Sequence, residues 1–140
     1  MEALSIRPRL VSFRTTSFHG DNQDASDAKA KWTIQFTQTV NVGLTAVGKE
    51  SKVMQAVVQI ELLAKAGKEG APEQQASFQG NYEAKFLYAP EVQEQDVVAL
   101  FEQEPHQYLL VAQAVPLAMM YFKREMQAMG FDARELPLGI

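Results

Sequence analysis

Between residues 31 and 89 the chain alternates apolar and polar side chains in three successive stretches. From Trp32 the even positions read Trp32, Ile34, Phe36, Gln38, Val40, Val42, Leu44 and Ala46. The odd positions read Lys31, Thr33, Gln35, Thr37, Thr39, Asn41, Gly43 and Thr45. Successive side chains of a strand point to opposite faces, so this period predicts a strand over 31–47 with one apolar and one polar face. A second strand over 52–66 carries Met54, Ala56, Val58, Ile60, Leu62 and Ala64 on one face, with Val53, Val57 and Leu63 out of phase. A third over 75–89 carries Ala76, Phe78, Gly80, Tyr82, Ala84, Phe86 and Tyr88. The connections at 47–51 and 67–73 are short, polar and glycine-bearing, which makes these strands antiparallel neighbours.

The earlier strand, over 4–18, is less regular. Leu4, Ile6 and Leu10 alternate, and the phase then changes through Val11 and Phe13. Pro8 cannot donate to a ladder and places this strand at an edge or a bulge. Residues 19–30 read as a polar loop. After Pro90 the period lengthens. A short helix is predicted over 96–104, ending before Pro105, and a long one over 106–129. The long helix is apolar almost all round, which calls for burial on more than one side. Pro116 kinks it or marks its start, Gly130 suits its C-cap, and residues 131–140 read as an extended tail. The apolar stretch is short of the roughly 20 residues that cross a bilayer. The fold class expected is α+β, a four-stranded antiparallel sheet followed by a long, proline-kinked helix packed on one face, in a single domain over 1–140.

Such a chain is not expected to be a stable monomer. Its strands extend roughly 45 Å at about 3.4 Å per residue, and one helix of about 10 Å diameter covers part of that sheet. The apolar back of the helix and the long strand edges both need partners.

Charge and composition narrow the function. The 140 residues carry a net charge of −4 without a clustered basic patch, which argues against nucleic acid and against an anionic membrane surface. There is no cysteine, hence no disulfide or thiolate site. The N-terminus lacks the pattern of a signal peptide, and a cytoplasmic location is expected.

Motifs for catalysis are weak. Residues 43–50, GLTAVGKE, come within one residue of the nucleotide-binding loop pattern. The hydroxyl after Lys49 is replaced by Glu50, and the loop joins two strands where the motif requires a helix. His19 and His106 lack metal-ligand spacing, and Asp21, Asp24 and Asp27 do not match a calcium loop. No nucleophile motif stands out. Neither an enzyme, a metal nor a cofactor is expected.

The methionines carry more information. Met119, Met120, Met126 and Met129 lie on one helix beside Tyr121, Phe122 and Phe131. Methionine is flexible and polarisable and recurs on surfaces that hold varied apolar partners. These residues suit a core, a subunit interface or a groove for extended hydrophobic peptide. The candidate peptide-binding set is Phe86, Tyr88, Phe101, Met119, Met120, Tyr121, Phe122, Met126, Met129 and Phe131.

The C-terminal third resembles the SecB family of protein-export chaperones. Residues 84–88, AKFLY, look like the family's G-x-F-x-I strand signature. Residues 115–118, VPLA, look like the F-P-x-A opening of its long helix. Gly130 and Phe131, followed by Leu136 and Pro137, match the turn after that helix with the same spacing. Trp32, opening a strand after a polar loop, is similar to a tryptophan of the family. The resemblance implies a dimer of dimers, with first strands paired across the dimer and long helices packed between dimers. It implies binding of unfolded client polypeptides in hydrophobic grooves without ATP. Two departures stand out. The Arg-Glu pair of the family's helix is Met119-Met120 here, and the family's second helix and acidic tail are not present in the 140 residues. The second departure puts engagement of the SecA motor in doubt. The function expected is an ATP-independent chaperone of SecB type. The alternative is an oligomeric adaptor or structural protein with the same fold and one specific protein partner.

Overall fold

The computed structural model describes residues 7–22, 32–48, 53–68 and 71–131. It contains β1 (Arg9–Asn22), β2 (Trp32–Ala46), β3 (Met54–Lys68), β4 (Ala71–Leu87), α1 (Glu94–Phe101) and α2 (Glu104–Ala128). The four strands form one antiparallel sheet in the order β1-β4-β3-β2. The two hairpins run β2-β3-β4, and β1 joins the far side of β4. The expectations for residues 1–6, 23–30 and 132–140, including the Leu136-Pro137 match, lie outside the described residues.

The irregularity of β1 has a structural cause. Its pairing with β4 shifts between Leu10 and Ser12 and again between Thr15 and Ser17, leaving Val11 and Thr16 without partners. Each extra residue turns the following side chains over to the other face. The inner row is therefore Leu10, Phe13, Thr15, Phe18, Gly20 and Asn22, opposite Phe86, Ala84, Tyr82, Gly80, Phe78 and Ala76. The strand continues four residues beyond its expected end at 18, through a segment read from sequence as loop. Its polar end is held by a hydrogen bond from Asn22 Nδ2 to the Met129 carbonyl at 2.9 Å.

α2 lies on the inner face. Its buried side chains His106, Leu110, Ala114, Ala118, Phe122 and Met126 recur every fourth residue, joined by Val115 and Met119. They meet the buried rows of β3 and β4, from Met54 to Ala66 and from Ala76 to Tyr88. Aromatic contacts tie the helix to both flanks. Phe122 sits 6.0 Å from Phe18 and 6.2 Å from Phe36, and Tyr121 meets Phe13 edge-on at 5.0 Å.

Pro105 occupies the first turn of α2, where a missing N–H costs nothing. Pro116 lies inside the helix on its solvent side and does not mark its start. It withdraws the hydrogen bond that would reach the Ala112 carbonyl, the cause of a proline bend. At the other end Gly130 adopts φ 82°. Its N–H reaches the Gln127 carbonyl at 2.9 Å, and that of Phe131 reaches the Met126 carbonyl at 3.0 Å. This is a Schellman closure, and Phe131 completes it by packing on Phe78 at 5.3 Å.

Gly80 leaves the space across which Tyr82 of the same strand leans. A Cβ there would run into the ring and hydroxyl of Tyr82. Replacing Gly80 by Ala is expected to cost about 1–3 kcal/mol through overpacking. Gly130→Ala is expected to cost about 1 kcal/mol through the positive φ. Urea unfolding of both variants measures these losses.

Candidate functional site

The helix covers the sheet unevenly. The inner rows of β3 and β4 are buried, whereas Leu10, Phe13 and Phe18 of β1 and Ile34, Phe36, Val40, Val42 and Leu44 of β2 remain only half-buried. α2 is drawn toward β1 by the Asn22 hydrogen bond, by the Phe13–Tyr121 contact, and by Gly20. A Cβ at Gly20 would collide with the Met129 sulfur. An apolar strip along β2 is left partly open. A second apolar surface lies on the back of α2, where Tyr108 is 59 % exposed, Leu109 40 % and Met120 42 %, beside exposed Pro116. Tyr108, Pro116 and Met120 fall at spacings of eight and four residues, so they share one helix face.

The ten candidate peptide-binding residues separate into two groups. Phe86, Tyr88, Met119, Phe122, Met126 and Phe131 are buried between sheet and helix. Phe101, Tyr121 and Met129 are half-buried at the rim of that core, and Met120 is exposed. Met119 and Met120 are one helical step apart, about 100°, which turns one inward and the other outward. The set therefore does not line one open groove in this chain. The candidate set does not include the apolar row of β2 or Tyr108, Leu109 and Pro116 on the helix back. The signal was available in the helix, because Tyr108, Pro116 and Met120 fall away from the fourfold spacing of the buried stripe.

At the start of α2 the core holds its one buried polar side chain among the described residues, His106, 6 % exposed. Its Nε2 shares a hydrogen bond of 2.6 Å with the Tyr88 hydroxyl at the end of β4. Phe101 closes the histidine edge-on. Gln107 Nε2 donates to the Phe101 carbonyl at 2.8 Å and ties α1 to α2. Burial lowers the His106 pKa from its ordinary value and pushes Tyr88 up to about 12, so both are neutral near pH 7. A small cavity of about 140 Å³ adjoins His106, lined by Arg7, Pro8, Leu100, Gln103, Pro105, Leu109 and Gln113.

The outer face of the sheet is polar. A shallow trough of about 360 Å³ is lined by Thr39, Asn41, Gln59, Glu61, Asn81 and Glu83 among others. Its groups largely satisfy one another. Arg14 Nε donates to Glu83 at 3.2 Å, Gln79 to Glu61 at 3.0 Å and Asn81 to Ser17 at 2.9 Å. Among the described residues no cluster of three or more His, Cys, Asp or Glu side chains is placed to hold a metal ion. In the stretch that resembles a nucleotide-binding loop, residues 43–46 belong to β2 and the next described element is β3, so among the described residues no helix follows it to hold phosphate. No helix among the described residues is long and apolar enough to cross a membrane.

Neither a family model nor a curated protein sequence matches the chain. Its structure, however, superposes on that of the SecB-like chaperone Rv1957 of Mycobacterium tuberculosis, solved with a ChAD peptide from the Rv1956 HigA1 antitoxin. The TM-score is 0.61 and the identity 13 %, over 94 % of this chain and 90 % of that one. The fold is SecB-like. At that identity the likeness speaks for the arrangement of strands and helices, and the function has to be argued from the surfaces.

The buried histidine makes acid stability testable. A histidine kept neutral in the fold has a lower pKa there than in the unfolded chain, so the unfolded state binds more protons as the pH falls. Stability is expected to be full above the ordinary histidine value of 6.5 and to decline below it. His106→Phe is expected to flatten the decline, measured as the urea midpoint between pH 4 and 8.

Proposed function

We propose that the chain is an ATP-independent chaperone of SecB type that holds non-native polypeptide on partly covered apolar surface. The observation that carries this reading is the half-buried apolar row along β2, from Ile34 to Leu44. A folded protein that keeps such a strip open retains a surface suited to extended apolar chain. Phe101, Tyr121 and Met129 lie at the half-buried rim of the candidate set, and Phe86, Met119, Phe122 and Met126 act as its supporting core. The SecB-like fold supports the reading, and the neighbour in complex with a partner peptide is compatible with it. No cofactor and no catalytic step enter this function.

The same proposal includes self-association. The face of Tyr108, Leu109, Pro116 and Met120 points away from the sheet, and a second copy is the occupant that would bury it. Dimers and dimers of dimers both satisfy this need, in the cytoplasm, where clients emerge unfolded.

A second reading has an observation of its own. Six of the ten candidate residues are closed within the core. That suits an adaptor with one specific protein partner, which needs no large groove. The two readings are separated by aggregation of a thermally unfolded client, followed by light scattering with and without this protein. The chaperone is expected to suppress scattering of several unrelated clients at comparable molar ratios. Absence of suppression, together with no binding to unfolded chains, rejects it in favour of the adaptor. Light scattering with size-exclusion chromatography tests association. Tyr108→Ser with Met120→Glu is expected to lower the particle mass while changing the intrinsic fold stability by only about 0.5 kcal/mol, as exposed sites do.

A further inference from the structure

The histidine buried at the start of α2 is satisfied on one ring nitrogen only. The Tyr88 hydroxyl meets Nε2 at 2.6 Å, and among the described residues the hydroxyl has no other partner. A phenol has one proton to place, so Tyr88 donates it and Nε2 accepts. Burial keeps the ring neutral near pH 7. A neutral ring that accepts on Nε2 carries its own hydrogen on Nδ1. Among the described residues Nδ1 meets no acceptor, although His106 is only 6 % exposed. The atom is not sealed inside the core. It opens on the cavity of about 140 Å³ that His106 lines.

The rest of the lining defines what fits. Arg7 is exposed at the cavity and makes no ion pair among the described residues. Gln103 and Gln113 add amide groups, and no acidic side chain is part of the lining. Pro8, Leu100, Pro105 and Leu109 make the remaining wall apolar. That wall includes the first turn of α2, the positive end of a helix of 25 residues. A cavity of about 150 Å³ takes one benzene ring.

From this we infer that the cavity beside His106 and Arg7 binds a small free carboxylate carried on an apolar body of benzoate size. The carboxylate accepts from His106 Nδ1–H and from the Arg7 guanidinium, whose planar fork matches it. The apolar body lies against Pro8, Leu100 and Leu109. Inorganic phosphate is a poorer occupant, because it brings no apolar surface to that wall and its charge exceeds that of one guanidinium. The cavity lies where the chain enters β1 and leaves β4, across the sheet from β2. Its occupation is therefore independent of the β2 row and of the chaperone reading. The ligand joins the approach to β1, the end of α1 and the start of α2, and stabilises the fold by linkage.

The test uses the full chain with sodium benzoate, and with benzamide as an uncharged probe of the same shape. Binding is followed at the His106 ring nitrogens by NMR and by thermal unfolding. The free chain is expected to show the Nδ1–H tautomer. Benzoate is expected to move the Nδ1 signal with a Kd of about 1 mM, the range of so small a ligand, and to raise Tm. Arg7→Gln, at an exposed position, is expected to weaken benzoate at least about tenfold and to leave benzamide unchanged. Arg14→Gln removes the same charge from the outer face of the sheet and is expected to alter neither. An Nε2–H tautomer, or an Nδ1 signal that benzoate at about 10 mM does not move, overturns the site. Equal affinity for benzoate and benzamide, insensitive to Arg7→Gln, overturns the carboxylate assignment. Equal losses of benzoate in both arginine variants reduce the effect to overall charge and also overturn it.

Discussion

One helix has to cover four strands. The outer strands of such a sheet lie about 15 Å apart at roughly 4.8 Å per step, and a helix with its side chains is about 10 Å across. Something must stay uncovered, and the anchors of α2 decide what. Asn22 holds the end of the helix through the Met129 carbonyl, Tyr121 leans on Phe13, and Gly20 makes room for Met129. All three lie on the β1 side. Both edges keep half-buried apolar side chains, and the longer row is on β2: five from Ile34 to Leu44, against Leu10, Phe13 and Phe18 on β1.

The packing beneath the helix follows from the same constraint. Close approach needs positions without side chains, supplied by Gly20 and Gly80 opposite each other's neighbours in the paired strands. Tyr82 leans across the space above Gly80, where its hydroxyl finds no hydrogen-bond partner. Burial and the nearby Glu125 carboxylate raise its pKa, so the group stays neutral. An unpartnered buried hydroxyl costs stability, while its ring stacks with Phe13 at 6.1 Å and meets Tyr121 at 6.4 Å. The ring is retained as a bridge among β4, β1 and α2, and the hydroxyl comes with it. At the opposite end the Tyr88–His106 hydrogen bond fixes the start of α2 over the end of β4.

Most of this architecture is legible in local pattern. The inner rows of β2, β3 and β4 keep period two because their pairings run almost without interruption, and a few exceptions such as Gln38, Val57 and Leu63 do not hide it in the sequence. β1 is less readable because two unpaired residues, Val11 and Thr16, each invert the pattern, so residues 19–22 look like a polar loop. The position of β1 beside β4 cannot be read from hairpin lengths, since its pairs, from Asn22–Ala76 to Arg9–Leu87, lie 54 to 78 residues apart in the chain. The site was harder still. Composition identifies a helix rich in Met and aromatic residues, but hydrophobicity does not distinguish a buried methionine from an exposed one. Met119 and Met120 are chemically identical, yet one is buried and the other exposed. Only the arrangement of the sheet decides which of them is core.

That separation changes how the proposed association and client binding relate. Sequence alone places both demands on one apolar helix, as if a partner copy and a client had to compete for it. The structure divides the apolar surface in two. Tyr108, Leu109, Pro116 and Met120 point away from the sheet, whereas the open row from Ile34 to Leu44 lies under the other side of the layer. The two surfaces are separated by the thickness of α2 and its packed core, so burying one leaves the other accessible.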